Sequence, residues 1–168
     1  MSDELAWLAG LSPWPEDGFG LERMRALLAT LGNPQGRYPA VHVVGTNGKS
    51  TATLTIEQIL LADGLSVGAT ISPHTRDWSE RLRIDGRPGD LEAALHHVRP
   101  DAERLGATQF ESMTAAALWA FADAGVEVAV VEAGLGGRFD ATNVLRSRVV
   151  LLTNVGLEHT DVLGDTVA

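Results

Sequence analysis

Val41-His42-Val43-Val44 runs directly into Gly45-Thr46-Asn47-Gly48-Lys49-Ser50-Thr51. A short β-branched stretch that turns through glycines and reopens as a helix leaves few architectures open. The strand is buried on both faces, and the helix after it must cross over before the next strand can pair in parallel. The same turn aims backbone N–H groups and the positive end of a helix at one point in space, which suits an anion. Lys49 adds a full charge there. It is the only lysine in a chain with 13 lysines and arginines. A thin-stemmed ammonium fits among phosphate oxygens in a tight loop where the wide guanidinium fork does not. The longer form of this loop has a glycine where Val43 stands, so the match is to a shortened variant beginning at Gly45. Gly45, Thr46, Asn47, Gly48, Lys49, Ser50 and Thr51 are therefore the candidate nucleotide-phosphate residues.

The remaining pattern extends this start. Leu21 to Leu31 carries apolar residues at helical spacing, and a helix is expected from Lys49 to Ala62 with a strand from Ser66 to Ile71 after it. Ser72 to Gly89 is polar and punctuated by proline and glycine, a loop with a short extended piece at Arg81 to Ile84. Asp90 caps a helix from Leu91 that Pro100 is expected to interrupt or kink. Gln109 to Ala124 is a further helix, and Glu127 to Val131 and Arg148 to Thr153 are strands. Alternating strands and helices of this kind predict an α/β fold, three layers with a mainly parallel sheet.

Composition narrows the function. At 168 residues and 45% hydrophobic, the chain suits one domain or most of a larger one. A net charge of −9 with scattered arginines argues against a nucleic-acid surface. No apolar run approaches a membrane span, the acidic start (Met1-Ser2-Asp3-Glu4) is unlike a secretory signal, and cysteine is absent, so a cytoplasmic protein is expected.

Three strand ends offer further chemistry at the carboxyl edge where open α/β sheets bind ligands. Glu132 closes Val128-Ala129-Val130-Val131. It is read either as an oxygen ligand for a nucleotide-bound Mg²⁺ or as a cap on a nearby amide. Ser72, in Ser72-Pro73-His74, offers a hydroxyl or simply starts a turn. His159 is a metal ligand, a phosphate contact or a loop histidine. His96 and His97 are expected at the surface, and Trp7, Trp14 and Trp78 over an apolar edge.

Together, the Gly-Thr-Asn-Gly-Lys loop, Ser72-Pro73-His74, Glu80-Arg81-Leu82-Arg83-Ile84-Asp85-Gly86, Thr108-Gln109-Phe110-Glu111, Glu132 through Asn143 and Gly156-Leu157-Glu158-His159-Thr160 resemble the folylpolyglutamate synthase/dihydrofolate synthase family, the folate branch of the Mur ligase superfamily. The resemblance runs from about Gly18 to Thr166. It implies an ATP-dependent amide ligase that adds L-glutamate to dihydropteroate or to a folate tail through an acyl phosphate, with ATP and Mg²⁺ as cofactors. It implies Lys49, Glu132 and His159 as catalytic residues, and Ser72, Glu132 and His159 as metal positions. The pterin substrate falls to Phe19, Thr108, Gln109, Phe110, Glu111, Phe139, Asp140 and Ala141, with Phe110 a stacking surface. Residues 1–168 then form the amino-terminal part of the ATP-binding domain. The carboxy-terminal ligase domain and a carbamylated lysine are absent, the fragment is inactive alone, and the full-length protein is a monomer without nucleic-acid or membrane partners. Two residues depart from the pattern: Ser50 replaces a glycine and Thr75 a leucine. Both leave open a superfamily ligase for another acid substrate, and an ATP-sensing module is the remaining alternative.

Overall fold

The structure is a computed structural model that describes residues 2–15, 18–157, 160 and 164. Six strands form one sheet: β1 (Ala40–Val44), β2 (Val67–Thr70), β3 (Arg83–Ile84), β4 (Arg87–Pro88), β5 (Val128–Glu132) and β6 (Val149–Leu152), in the order β4-β3-β2-β5-β1-β6. The four longer strands are mutually parallel, and β3 and β4 add antiparallel at one edge. The α/β expectation holds. Ser66 to Ile71, Glu127 to Val131 and Arg148 to Thr153 all appear as strands, their ends shifted by a residue or two.

Side chains alternate across each strand and so sort the sheet into two faces. Val43, Val67, Ala69 and Val130 face α3 (Lys49–Ala62), against Ala52, Ile56 and Leu60. Ala40, Ala129 and Val131 face the larger cluster. There α1 (Asp3–Gly10), α2 (Glu22–Thr30), α4 (Leu91–Leu105) and α5 (Gln109–Ala124) bury Leu8, Met24, Leu27, Leu95, Leu118 and Phe121. Truncating a fully buried ring such as Phe121 would cost about 3–5 kcal/mol. Helices on both faces of the sheet make three layers.

Three expectations are corrected. Ser72 to Gly89 is not an open loop: a 3₁₀ turn at Trp78–Arg81 leads into the β3–β4 hairpin, whose reversal at Asp85-Gly86 needs positive φ at both residues. Pro100 neither ends nor splits α4, which continues to Leu105. The apolar face of Leu91, Ala94, Leu95, Val98 and Ala102 packs on both sides of the proline and outweighs the one backbone bond it removes. The helix α1 was not expected; Ser2 caps it through Leu5 N–H, and its one fully buried side chain, Leu8, leaves little periodic signal. Trp7 and Trp78 pack against the main cluster as expected, while Trp14 is 49% exposed. His96 pairs with Glu4 and His97 stacks on Trp119, so both belong to the surface of the helical layer. No helix among the described residues is long and apolar enough to cross a membrane.

Candidate active site

Strands β1, β2, β5 and β6 run parallel, so their carboxyl ends meet at one edge of the sheet. The glycine loop leaves β1 there. Gly45 sits at φ +131°, and a Cβ on it would strike Thr153 Oγ1 and the Asn154 backbone. Only glycine lets the segment after β6 come this close. That segment holds the loop in shape. Asn154 O accepts from Thr46 N–H at 3.1 Å, Asn154 Oδ1 accepts from Asn47 N–H at 2.9 Å, and Thr46 Oγ1 accepts from Gly156 N–H at 2.9 Å. Gly48 begins α3 in the left-handed region, and Lys49 Nζ donates to Thr46 O at 3.0 Å. Thr51 stands exposed on the first turn. Sequence reasoning passed over Asn154 because its role depends on β6 pairing beside β1, more than a hundred residues away.

Glu132 follows from the strand's alternation. Val128 and Val130 face α3, so Glu132 must as well, and it meets Ser50 in the first turn of that helix. Its Oε1 accepts from Ser50 Oγ at 2.9 Å and its Oε2 from Ser72 N–H at 3.0 Å. Glu132 thus does cap an amide, two residues past the end of β2. Burial raises its pKa, and the Ser72 N–H, the Ser50 hydroxyl, Lys49 and Arg81 only partly offset that rise. A buried carboxyl with a raised pKa is a group whose charged form lacks compensation, which a cation would supply. The Glu132 carboxylate and the Ser50 hydroxyl lie together, an oxygen pair that suits a hard ion such as Mg²⁺. No group of three or more His, Cys, Asp or Glu is clustered for a metal among the described residues. His159 lies outside the described residues.

The predicted pterin residues gather on the other face of the sheet, in a narrow slot lined by Pro13, Trp14, Phe19, Phe110, Phe139 and Ala141. Phe110 reaches it from the start of α5, where Thr108 and Glu111 form a capping box. Gly134 makes room for that ring, since a Cβ there would press into it. Trp14 and Phe19 meet edge to face at 5.9 Å, and both remain partly exposed, as does Phe139. Gln109 ties the amino-terminal wall to α5: its N–H donates to Ser12 O and its Nε2 to Leu8 O.

The two acids at this slot differ from the aromatic rings around them. Glu111 Oε2 accepts from both Thr108 N–H and Arg23 Nε at 2.8 Å. Asp140 is more fully engaged: Oδ2 accepts from Gly134 and Leu135 N–H, and Oδ1 from Thr142 N–H and the Thr142 hydroxyl. The Thr142 hydroxyl gives its proton to Asp140, so the His42 Nε2 beside it at 2.7 Å must be the donor of that pair. Asp140 pins the 134–142 loop, and through it the rings carried there.

The slot opens into a wider cleft of about 260 Å³ that shares Pro13, Trp14, Phe110 and Leu135 with it and adds Ser72, Pro73, Arg81 and Gly134. One groove therefore runs from aromatic rings to the residue whose N–H holds Glu132.

No family model matches the chain, whereas curated relatives and solved structures do. The chain is 39% identical over 173 residues to the dihydrofolate synthase/folylpolyglutamate synthase of Mycobacterium tuberculosis, covering 92% of this chain and 36% of that protein. It is 39% identical over 150 residues to the Escherichia coli protein of the same name, covering 86% of this chain and 35% of that one. Among solved structures, E. coli FolC in complex with DHPP and ADP superposes with a TM-score of 0.90 at 37% identity, over 99% of this chain and 41% of that one. An FPGS–AMPPCP–folate complex gives the same TM-score of 0.90 at 39% identity, over 98% of this chain and 42% of that one. The chain spans well under half the length of each.

Proposed function

We propose, from the premise that this chain belongs to the folylpolyglutamate synthase/dihydrofolate synthase family over the stretch it covers, that it forms the amino-terminal part of a Mur ligase ATP-binding domain. The activity is ATP-dependent ligation of L-glutamate to dihydropteroate or to a folate tail. The chain covers 36% and 35% of the length of the two relatives named, so the activity is assigned to the full-length protein. The observation that carries this reading is the single groove joining the aromatic slot to the edge where Glu132 and the glycine loop meet.

In this reading Thr46, Asn47, Gly48, Ser50 and Thr51 cradle the phosphates with backbone N–H groups and hydroxyls. Lys49, engaged with Thr46 O through one of its three donors, offers the others. Glu132, Ser72 and His159 would hold Mg²⁺, with the Ser50 hydroxyl beside Glu132, and a bound ion there would neutralise phosphate charge. The rings of Phe19, Phe110 and Phe139 take the pterin, with Thr108, Gln109 and Ala141 around them, and Glu111 and Asp140 hold that wall. A carboxylate oxygen of the substrate attacks the γ-phosphorus and ADP leaves. The amine of glutamate then attacks the acyl carbon, and phosphate departs with that oxygen. The chain's part is placement and electrostatics, which is most of what phosphoryl transfer requires. The full-length protein is assigned to the cytoplasm, as a monomer acting on small molecules.

The test is glutamate-dependent ADP release by the full-length gene product with dihydropteroate or folate as acceptor. Turnover that needs a different acid, or no glutamate, would replace this reading with another superfamily ligase. Nucleotide binding without any turnover would replace it with an ATP-sensing module.

A further inference from the structure

The electrostatics of the groove raise a question that the residues assigned so far do not answer. A substrate carboxylate, a polyphosphate and Glu132 would converge at one sheet edge. The cations whose fields reach Glu132 are Lys49 and Arg81. Lys49 sits in the glycine loop and is committed to phosphate. Arg81, at the end of the 3₁₀ turn, lines the wider cleft together with Ser72, Phe110 and Gly134.

Its geometry is that of a prepared fork. Arg81 Nε donates to His74 Nδ1 at 2.9 Å, and the guanidinium lies over the Trp78 ring at 4.5 Å. These contacts fix the plane of the group and occupy its inner nitrogen. The two outer nitrogens have no hydrogen-bond or ion-pair partner among the described residues. The side chain is partly buried, and desolvation weighs against its charge more than Glu132 supports it. Arg81 forms no salt bridge with Glu132, whose hydrogen-bond partners are the Ser50 hydroxyl and the Ser72 N–H. Two residues on, Arg83 is held by Glu57, which is fully buried on α3, at 3.0 Å, and donates to Gly86 O at 2.7 Å. The strand that follows Arg81 is thereby tied to the helix that begins at Lys49.

We propose that Arg81 is the residue that receives the reacting carboxylate of the acid substrate, presenting its two outer nitrogens as a bidentate clamp between the aromatic slot and the phosphate loop. This rests on the folate-ligase reading and adds to it a determinant of acid specificity. Planar, paired N–H donors match a carboxylate in a way that a lysine does not. The clamp also lowers the repulsion between that carboxylate and the polyphosphate it must approach.

The experiment compares the affinities of the full-length protein for pteroate, for its uncharged carboxamide and for 6-hydroxymethylpterin, by calorimetry. A clamped carboxylate predicts a preference for pteroate over the carboxamide of about 10- to 100-fold in the unmodified protein. Arg81→Gln should abolish that preference and leave the 6-hydroxymethylpterin and ATP-analogue affinities unchanged, and Arg81→Lys should restore part of it. An Arg81→Gln protein that keeps the preference, or loses all the ligands alike, overturns the clamp. A purely structural role would give the second pattern. If the unmodified protein binds ATP but neither pterin compound, the folate reading itself falls, and the clamp with it.

Discussion

Glu132 and Asp140 are buried carboxylates only eight positions apart, and they do opposite things. Asp140 collects four hydrogen bonds, from Gly134, Leu135 and Thr142, and closes a loop on itself. Glu132 collects two, and burial still raises its pKa above the ordinary glutamate range. A carboxylate whose acceptor capacity is filled locally is a structural pin. One left short of donors and beside a phosphate-type loop is poised for a ligand. Burial and residue type do not separate the two; unfilled hydrogen-bonding capacity does.

Removing each group should expose the difference. Asp140→Ala strands donors that have no other acceptor and should lower stability by about 3 kcal/mol or more in urea unfolding. A change within experimental error would show that the loop does not depend on it. Glu132→Gln should do the reverse. Its unfolding free energy at neutral pH should hold or rise, since a buried charge has gone. The Mg²⁺ enhancement of ATP-analogue binding should fall by about 10- to 100-fold. Collapse of the fold in that variant would make Glu132 a second pin and erase the contrast.

Gly134→Ala sits between the two acids and separates their territories. The added methyl crowds Phe110, so pteroate affinity should drop about tenfold while nucleotide affinity stays constant. A matching loss of nucleotide binding would mean that the aromatic and phosphate ends of the groove are not independent.

The smallest expected effect is in pH. His42 is neutral in the fold, its pKa lowered by burial despite Asp140 nearby. The unfolded chain takes up a proton near pH 6.5, so the stability contributed by neutral His42 is full above that value and is lost as pH falls through the lower folded one. His42→Gln should flatten that slope in urea melts between neutral and mildly acidic pH. On the functional side, the raised pKa of Glu132 means protons compete with Mg²⁺ at a higher pH than for an ordinary glutamate. Metal-enhanced binding should therefore weaken on acidification before the fold does.

Much of this was legible in the residues, and the reasons are local. The left-handed glycines at 48 and 125 set the start of α3 and the end of α5 at the expected bounds, Lys49 and Ala124. Glu132 stands out in the sequence as an acid ending an apolar strand, and the amide cap that this reading allowed is present at Ser72. The extended piece at Arg81 to Ile84 was legible, but its pairing into the β3–β4 hairpin, the Asn154 brace and the half-buried fork of Arg81 were not, and each depends on strand order. Asn154 acts on the glycine loop only because β6 lies beside β1. Arg81 faces the groove only because the segment after Ser72 folds back along β2. Nothing in nearby sequence encodes those neighbours.

The central claim is that an acid held in the groove is activated by phosphate transfer at the loop of Lys49. It is tested most directly by supplying the full-length protein with pteroate whose carboxylate carries a heavy-oxygen label, together with ATP and L-glutamate. An acyl phosphate predicts that label from the carboxylate appears in the released inorganic phosphate in step with ADP formation. Glutamate-dependent turnover that leaves the phosphate unlabelled would contradict the account.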